Sequence, residues 1–315
     1  MTQVLKPGRE RAPGQLRRGT AAGPRRKMSG AWLPYLLVVP ILAFEGVFVL
    51  YPIVRGILTS FKSQQLGAKG SYTLSNFSRM FADPAFWQVV RVTLIFTAVV
   101  VVLMLIVGLL IAMLLNWSFR GRGFVRGILS IPWALPDIPV VLTFLLMADP
   151  NFGILNRMAS WLGFGHHNAF FTSSHLALAS IVVLTVWKGF PFYALITLSA
   201  LQAVPDELLE AARVDGAGAI RRFRSVVLPS ITPTLCLLAV LAFIFSLQQF
   251  SLIYLTTGGG PGNDTTTLSI DIYNQAFQFF NYSYASAVAI VGLFLSVIGT
   301  GLFVYIERRV VASRS

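Results

Sequence analysis

Charged side chains are scarce in the apolar stretches of this chain, so the few that stand there are the first candidates for chemistry. Three lie well inside such stretches: Glu45, Asp137 and Lys188. A charge at the centre of a bilayer-length helix costs about 2.5–3.5 kcal/mol on insertion scales, so each is expected to face a bundle interior or water. Lys188 sits in Val186-Trp187-Lys188-Gly189-Phe190-Pro191. There Pro191 can open the backbone locally and Trp187 offers a flat apolar ring face. The same lysine can instead close a structural ion pair with Asp137 or Glu45, and both readings stand at this point. Gln248 and Gln249 offer amide donors and acceptors to a polar solute, with Trp133, Asn274 and Gln275 as weaker additions; for Gln248 an interhelical hydrogen bond is the alternative role. The three buried charges lie on different stretches and form no nucleophile, base or metal set, which argues against a membrane-embedded enzyme. Cys236 is the single cysteine, so neither a disulfide framework nor a cysteine metal site is available. His166, His167 and His175 have no acidic or cysteine neighbours and read as solvated loop residues; no metal site is expected.

A second cluster of interest is the polar block from Glu210 to Pro229, set between long apolar runs. Pro205 suits a helix first turn, and Asp206 and Glu207 then lie near the positive end of a helix through Leu208, Leu209, Ala211 and Ala212. Asp215-Gly216 is a turn pair, with Gly216 free to take the positive φ that closes this helix. A second helix can start at Ala217 and carry Arg221, Arg222 and Arg224 on a face separate from Phe223, and Leu228 and Pro229 begin the next apolar run. Small residues Ala211, Ala212, Gly216, Ala217 and Gly218 would let the unit sit deep in a groove of another protein. An ordinary solvated loop with some helix content is the bland alternative.

The elements that must hold these residues follow from composition. The chain has 315 residues, 55% hydrophobic and 12% charged, with mean hydropathy +0.71, beyond what a soluble domain of this size shows. Candidate spans run over about 32–56, 90–115, 125–147, 176–200, 231–255 and 284–306, each near the ~20 residues that cross a bilayer. The fold class is therefore an all-α integral membrane protein of six helical spans. Continuous apolar runs lack the alternation of a barrel strand. Pro40, Glu45 and Pro52 in the first span, and Pro132, Pro136 and Asp137 in the third, predict bends.

Basic residues orient the spans. Residues 1–30 hold eight Lys or Arg against one acid, the loop at 117–126 three Arg, the loop at 202–224 four Arg and the C-terminal tail three more. The other side has Lys62, Lys69, Arg79 and Arg157. Both termini and the polar block are thus expected in the cytoplasm. Net charge +13 raises nucleic acid as a partner, but the basic residues flank spans and no DNA-binding motif surrounds them, so nucleic acid is excluded. Residues 1–30 read as a disordered basic cytoplasmic tail, and 31–315 as the membrane domain. On the outer side, 151–162 reads as a short interfacial amphipathic helix, with Phe152, Ile154, Leu155, Met158 and Trp161 against lipid or neighbouring helices. Gly258 to Gly262 reads as a tight connection.

Glu210, Ala211 and Ala212, then Asp215, Gly216 and Ala217, with Phe223, Leu228 and Pro229 at matching spacing, resemble the EAA loop of the permease subunits of bacterial ATP-binding-cassette importers. Softer matches at Asn76-Phe77, Ile272, Tyr273, Ala276 and Phe277 extend the resemblance over most of 35–308. The pair Tyr51-Pro52, the Gly258 to Gly262 segment and Tyr284-Ala285-Ser286-Ala287 resemble especially the carbohydrate branch, the maltose, trehalose and glycerol-phosphate type. The resemblance implies an all-α permease fold of six spans, with 202–229 as the ATPase-coupling loop and Trp187, Lys188, Gln248, Gln249, Asp137 and Trp133 as candidates along a substrate pathway. It implies ATP-driven uptake of a carbohydrate or related polyol at the cell's inner membrane. The partners would be a second permease subunit, two ATP-binding subunits, an extracytoplasmic solute-binding protein and membrane lipid. The chain lacks a phosphate-binding loop with Lys-Ser/Thr, so no cofactor is expected in it; ATP and Mg would be bound by the partner ATPase. A secondary transporter for a small polar solute is the alternative, although it has no use for a cytoplasmic docking loop.

Overall fold

The computed structural model describes residues 33–62, 71–163 and 168–312. The basic tail 1–30, Lys69, His166, His167 and the last three residues lie outside the described residues. Described secondary structure is helical apart from an isolated bridge between Lys62 and Tyr72. The chain divides into two compact units between Ile53 and Val54.

In the first unit, α1 (Leu33–Glu45) contains Pro40 and passes into a wide turn over Gly46–Leu50, where the Tyr51 N–H reaches back five residues to the Gly46 carbonyl. The next residue, Pro52, has no N–H to offer the carbonyl four residues before it, and a π-turn accommodates that gap. Helix α2 (Tyr51–Ser60) follows, and the boundary between the two units falls within it.

The second unit is built on α4 (Pro84–Asn116) lying along α8 (Ala177–Gln202). Asp83 caps α4 by accepting from the Ala85 N–H at 2.9 Å, with Pro84 at the first position, where its missing N–H costs nothing. The two helices approach closely at Gly108, where a Cβ would come within 2.9 Å of the Tyr193 Cβ. Phe96, Val100 and Met104 of α4 pack with Ile181, Val182, Val186 and Tyr193 of α8 in the largest core cluster, joined by Leu238 and Ala242 of α11 (Leu228–Leu247). In a bilayer this close packing, rather than exclusion from water, holds helices together. Helix α11 also packs on α14 (Tyr282–Ala312), which carries α3 (Ser75–Ala82) and α13 (Leu268–Tyr273).

Among the described residues, five helices are long and apolar enough to cross a membrane, and α5 (Arg122–Ala134) with α6 (Asp137–Met147) makes a sixth if counted as one broken span. The expected bend there is a corner of 95°. Leu135 is extended, since a residue before proline is driven out of the helical region, and Pro136 after it is extended too. Two expectations need correction. Pro191 does not break α8; it lies inside an unbroken helix, where it deprives only the Trp187 carbonyl of its partner. The fifth span does not run over 231–255: a continuous helical stretch covers Ala219–Leu247, the chain turns at 248–250, and a short α12 (Ser251–Thr256) packs on α6. The short helix expected over 151–162 is α7, Ile154–Trp161. Asn156 holds it by donating to the carbonyls of Ala148 (2.9 Å), Asp149 (3.1 Å) and Asn168 (3.1 Å).

Candidate functional site

The 95° corner places Asp137 at the first position of α6, where the helix dipole favours a carboxylate. Facing it, Lys188 of α8 brings its Nζ to 3.0 Å from Asp137 Oδ1, the side chains being 17% and 37% exposed. The pair stands on the wall of a cavity of about 350 Å³. Trp133 of α5, Met104 of α4, Thr185, Gly189, Phe192 and Tyr193 of α8, and Phe245, Gln249 and Leu252 complete the lining. Trp133 and Phe192 stack with centroids 5.9 Å apart and planes 26° from parallel. One wall thus offers a cation and an anion at hydrogen-bonding distance, another an aromatic surface, and Gln249 an amide. Such a set has the chemistry to hold a polar solute by its edges and faces together. On the far side of Asp137 a second concavity, about 460 Å³, runs past Pro136, Ser251, Phe250 and Tyr254, the last two rings stacked at 5.0 Å.

Of the sequence-nominated pathway residues, Trp133, Asp137, Lys188 and Gln249 meet in this cavity. Trp187 and Gln248 do not. Trp187 turns to the other face of α8 and packs 4.9 Å from the Phe144 ring, among Val140, Val141, Leu184 and Leu252. Gln248 opens into a separate cleft of about 260 Å³ between Leu268, Ser269 and Ile272 on one side and Ala289, Gly292 and Ser296 of α14 on the other. Glu45 lies in the first unit, and Lys188 pairs with Asp137. Phe192, Thr185, Tyr193 and Phe245 were not singled out by sequence. Thr185 and Phe192 stand three residues before and four after Lys188, so helical spacing from the lysine finds both.

At the other end of α8 the polar block forms α9 (Asp206–Val214) and α10 (Ala219–Arg222). Gly216 has φ +73°, and the Ala217 N–H closes on the Ala212 carbonyl at 2.9 Å, the left-handed stop that the Asp-Gly pair predicts. The second helix starts at Ala219, not Ala217, with Gly218 as its extended cap. Nor does it end before the span. It runs through a π-turn at Phe223–Val227, closed by the Leu228 N–H on the Phe223 carbonyl, straight into α11. Glu210, Ala211, Asp215 and Gly216 are exposed, while Ala212, Ala217, Phe223, Leu228 and Pro229 are half-buried. Leu208, Val214 and Ile220 add exposed apolar side chains to this polar element.

The segment from Gly258 to Thr267 is knotted by hydrogen bonds: Thr265 Oγ1 donates to the Gly260 carbonyl (2.7 Å) and Thr266 Oγ1 to that of Gly259 (2.9 Å). It is pinned to α4 by the Leu268 N–H, which donates to Thr93 Oγ1 at 2.9 Å. Nearby, burial raises the Asp271 carboxyl above the usual carboxylate range, an effect opposed by a hydrogen bond from Gln275 and reinforced by the charge of Asp83.

Residues 104–312 match the family described as the inner membrane component of binding-protein-dependent transport systems. The chain belongs to that family. It is a multi-pass membrane permease component, not a catalytic chain. It is 37% identical to a sulfoquinovosyl glycerol transport system permease protein of Agrobacterium fabrum, over 88% of this chain and 90% of the relative. Identity to a trehalose/maltose transport system permease protein of Thermococcus litoralis is 36%, over 90% and 96%. With an sn-glycerol-3-phosphate transport system permease protein of Yersinia pestis it shares 35% identity, over 91% and 98%. The fold is also that of a chain in the crystal structure of a bacterial ABC transporter involved in import of the acidic polysaccharide alginate. The TM-score is 0.78 at 23% identity, over 88% of this chain and 96% of that one.

Proposed function

We propose that this permease forms half of the pathway of an ATP-driven importer for a carbohydrate or related polyol. A second, different permease subunit would supply the other half, two ATP-binding subunits would dock on 202–229, and an extracytoplasmic binding protein would deliver the solute. The observation that carries the reading is the cavity at the broken span, where the Asp137–Lys188 pair, Gln249 and the Trp133/Phe192 rings converge. The names of the relatives, a sulfosugar glycoside, a disaccharide and a glycerol phosphate, support the substrate class. Stacked rings suit the C–H faces of a sugar, and the ion pair and amide suit its hydroxyls. In the coupling loop, Glu210, Asp215 and Gly216 set the shape, Ala211, Ala212 and Ala217 allow close approach, and Phe223, Leu228 and Pro229 join it to α11. ATP and Mg would bind only to the partner ATPase.

Both termini and 202–229 are proposed to be cytoplasmic, on the basic-residue distribution. Impermeant thiol reagents applied outside whole cells test this. Single cysteines placed in 256–270 should react and those in 202–226 should not; the reverse pattern overturns the orientation. Tagged chain purified from mild detergent should bring down an ATPase and a second permease, and a chain that transports alone would point to a secondary transporter.

A further inference from the structure

We propose that Arg122, Arg126 and Gln202 form a positioning clamp that carries movement of the polar loop to the cavity; this rests on the reading of 202–229 as the ATPase-docking loop. Arg122 and Arg126 stand one turn apart at the start of α5, and Gln202 is the last residue of α8, four before Asp206 opens α9. With its amide oxygen turned toward them, Gln202 accepts from Nη2 of Arg122 and, at 3.0 Å, from Nη2 of Arg126. The Nε atoms of both arginines are buried without hydrogen-bond partners. Among the described residues neither guanidinium meets a carboxylate. Two cations therefore converge on one neutral amide, aided by the negative end of the α8 dipole. Bonds from ionised donors are stronger than neutral ones, and here two of them share one amide oxygen.

The placement gives the clamp its role. Helices α5 and α8 meet again at the cavity, where Trp133 of α5 stacks on Phe192 of α8, and just past the corner Asp137 of α6 pairs with Lys188. Lys188 and Gln202 are about 21 Å apart along α8 at 1.5 Å per residue. Helix α5 is thus braced against α8 at both ends, at the foot of the polar loop and at the solute site. A shift of α9 drags the α5 start through Gln202 and reaches the 95° corner that carries Asp137. Without the brace, the α5 start is free to lag behind the loop, and the corner stays still.

The test uses the full complex of this chain with its partner permease and ATPase subunits in inside-out vesicles. Phe245→Cys, in a Cys236→Ala background, reports on the cavity through its rate of reaction with a maleimide, with and without ATP and vanadate. With Gln202 intact, ATP and vanadate should change that rate about tenfold. Gln202→Leu should reduce the change to less than about twofold, as should Arg122→Gln with Arg126→Gln, whereas Gln202→Glu, which keeps an acceptor, should retain it. The ATPase should co-purify with all of them. A full response in Gln202→Leu overturns the clamp and leaves the docking loop standing. Loss of the ATPase or of folded complex in Gln202→Leu alone would make the contact merely structural and also overturns it. No response with Gln202 intact removes the docking reading and the clamp together.

Discussion

Removing the cavity's ammonium by Lys188→Met separates its two roles. The pair lies 3.0 Å apart, and at an effective dielectric near 20 the bare attraction is roughly 5 kcal/mol. Asp137 is 37% exposed, so solvent screens much of it, and desolvation offsets more. A net loss of about 2 kcal/mol remains when the acid is left alone, or roughly 30-fold in the folded-to-unfolded ratio. Lys188→Met should therefore lower the midpoint of thermal unfolding of the detergent-purified protein, and Lys188→Met with Asp137→Asn should recover most of it, since no unpaired charge remains. Uptake into proteoliposomes of the solute delivered by the cognate binding protein should stay low in both. Full uptake in the double variant would make Lys188 structural only; unchanged stability and uptake in the single would refute the whole account of the pair.

Gly216→Val should weaken ATPase co-purification and substrate-stimulated hydrolysis, because φ +73° costs a β-branched residue about 1–2 kcal/mol although no atom crowds the new Cβ; Gly216→Asn should be tolerated, and an unaffected valine variant would refute the argument. Thr93→Val should lower the thermal midpoint by leaving the buried Leu268 N–H without an acceptor, a cost of about 1–3 kcal/mol, and Thr93→Ser should restore it. Asp271 holds its proton more tightly folded than unfolded. Stability should then fall as pH rises from the ordinary carboxylate range through the raised folded value, and Asp271→Asn should flatten that part of a stability-versus-pH curve.

Much of this was written in plain patterns. Apolar runs of bilayer length give the spans, and Asp215-Gly216 gives the left-handed stop at Gly216. The facing of individual side chains was harder to read. Both faces of α8 are apolar, so no polar stripe says which looks into the cavity, and neighbours on a helix diverge by about 100°. Trp187 and Lys188 therefore point different ways, as do Gln248 and Gln249 past the end of α11. Proline was an ambiguous signal for a related reason. Pro136 sits in extended backbone at the corner, while Pro191 is held inside a helix packed on α4 and α5. Tertiary packing, invisible in one sequence, decides between these fates. The arginines of α5 were legible as charge, but nothing in their spacing pointed to Gln202, 76 residues beyond Arg126.

The wide turn ahead of Pro229 sets the rotational phase of a membrane span. A π-turn takes in one more residue than an α-turn, so every side chain after it is rotated by about 100° relative to an unbroken α-helix. The faces of α11 that meet α4 and α14 are thus fixed by Phe223–Val227, at the edge of the polar loop, rather than by the apolar residues themselves. The stretch before Pro52 has the same construction, with the five-residue bond again made by the residue just ahead of the proline. Deleting one residue from Phe223–Val227 would leave the composition of α11 intact and turn its contact face away from α4 and α14.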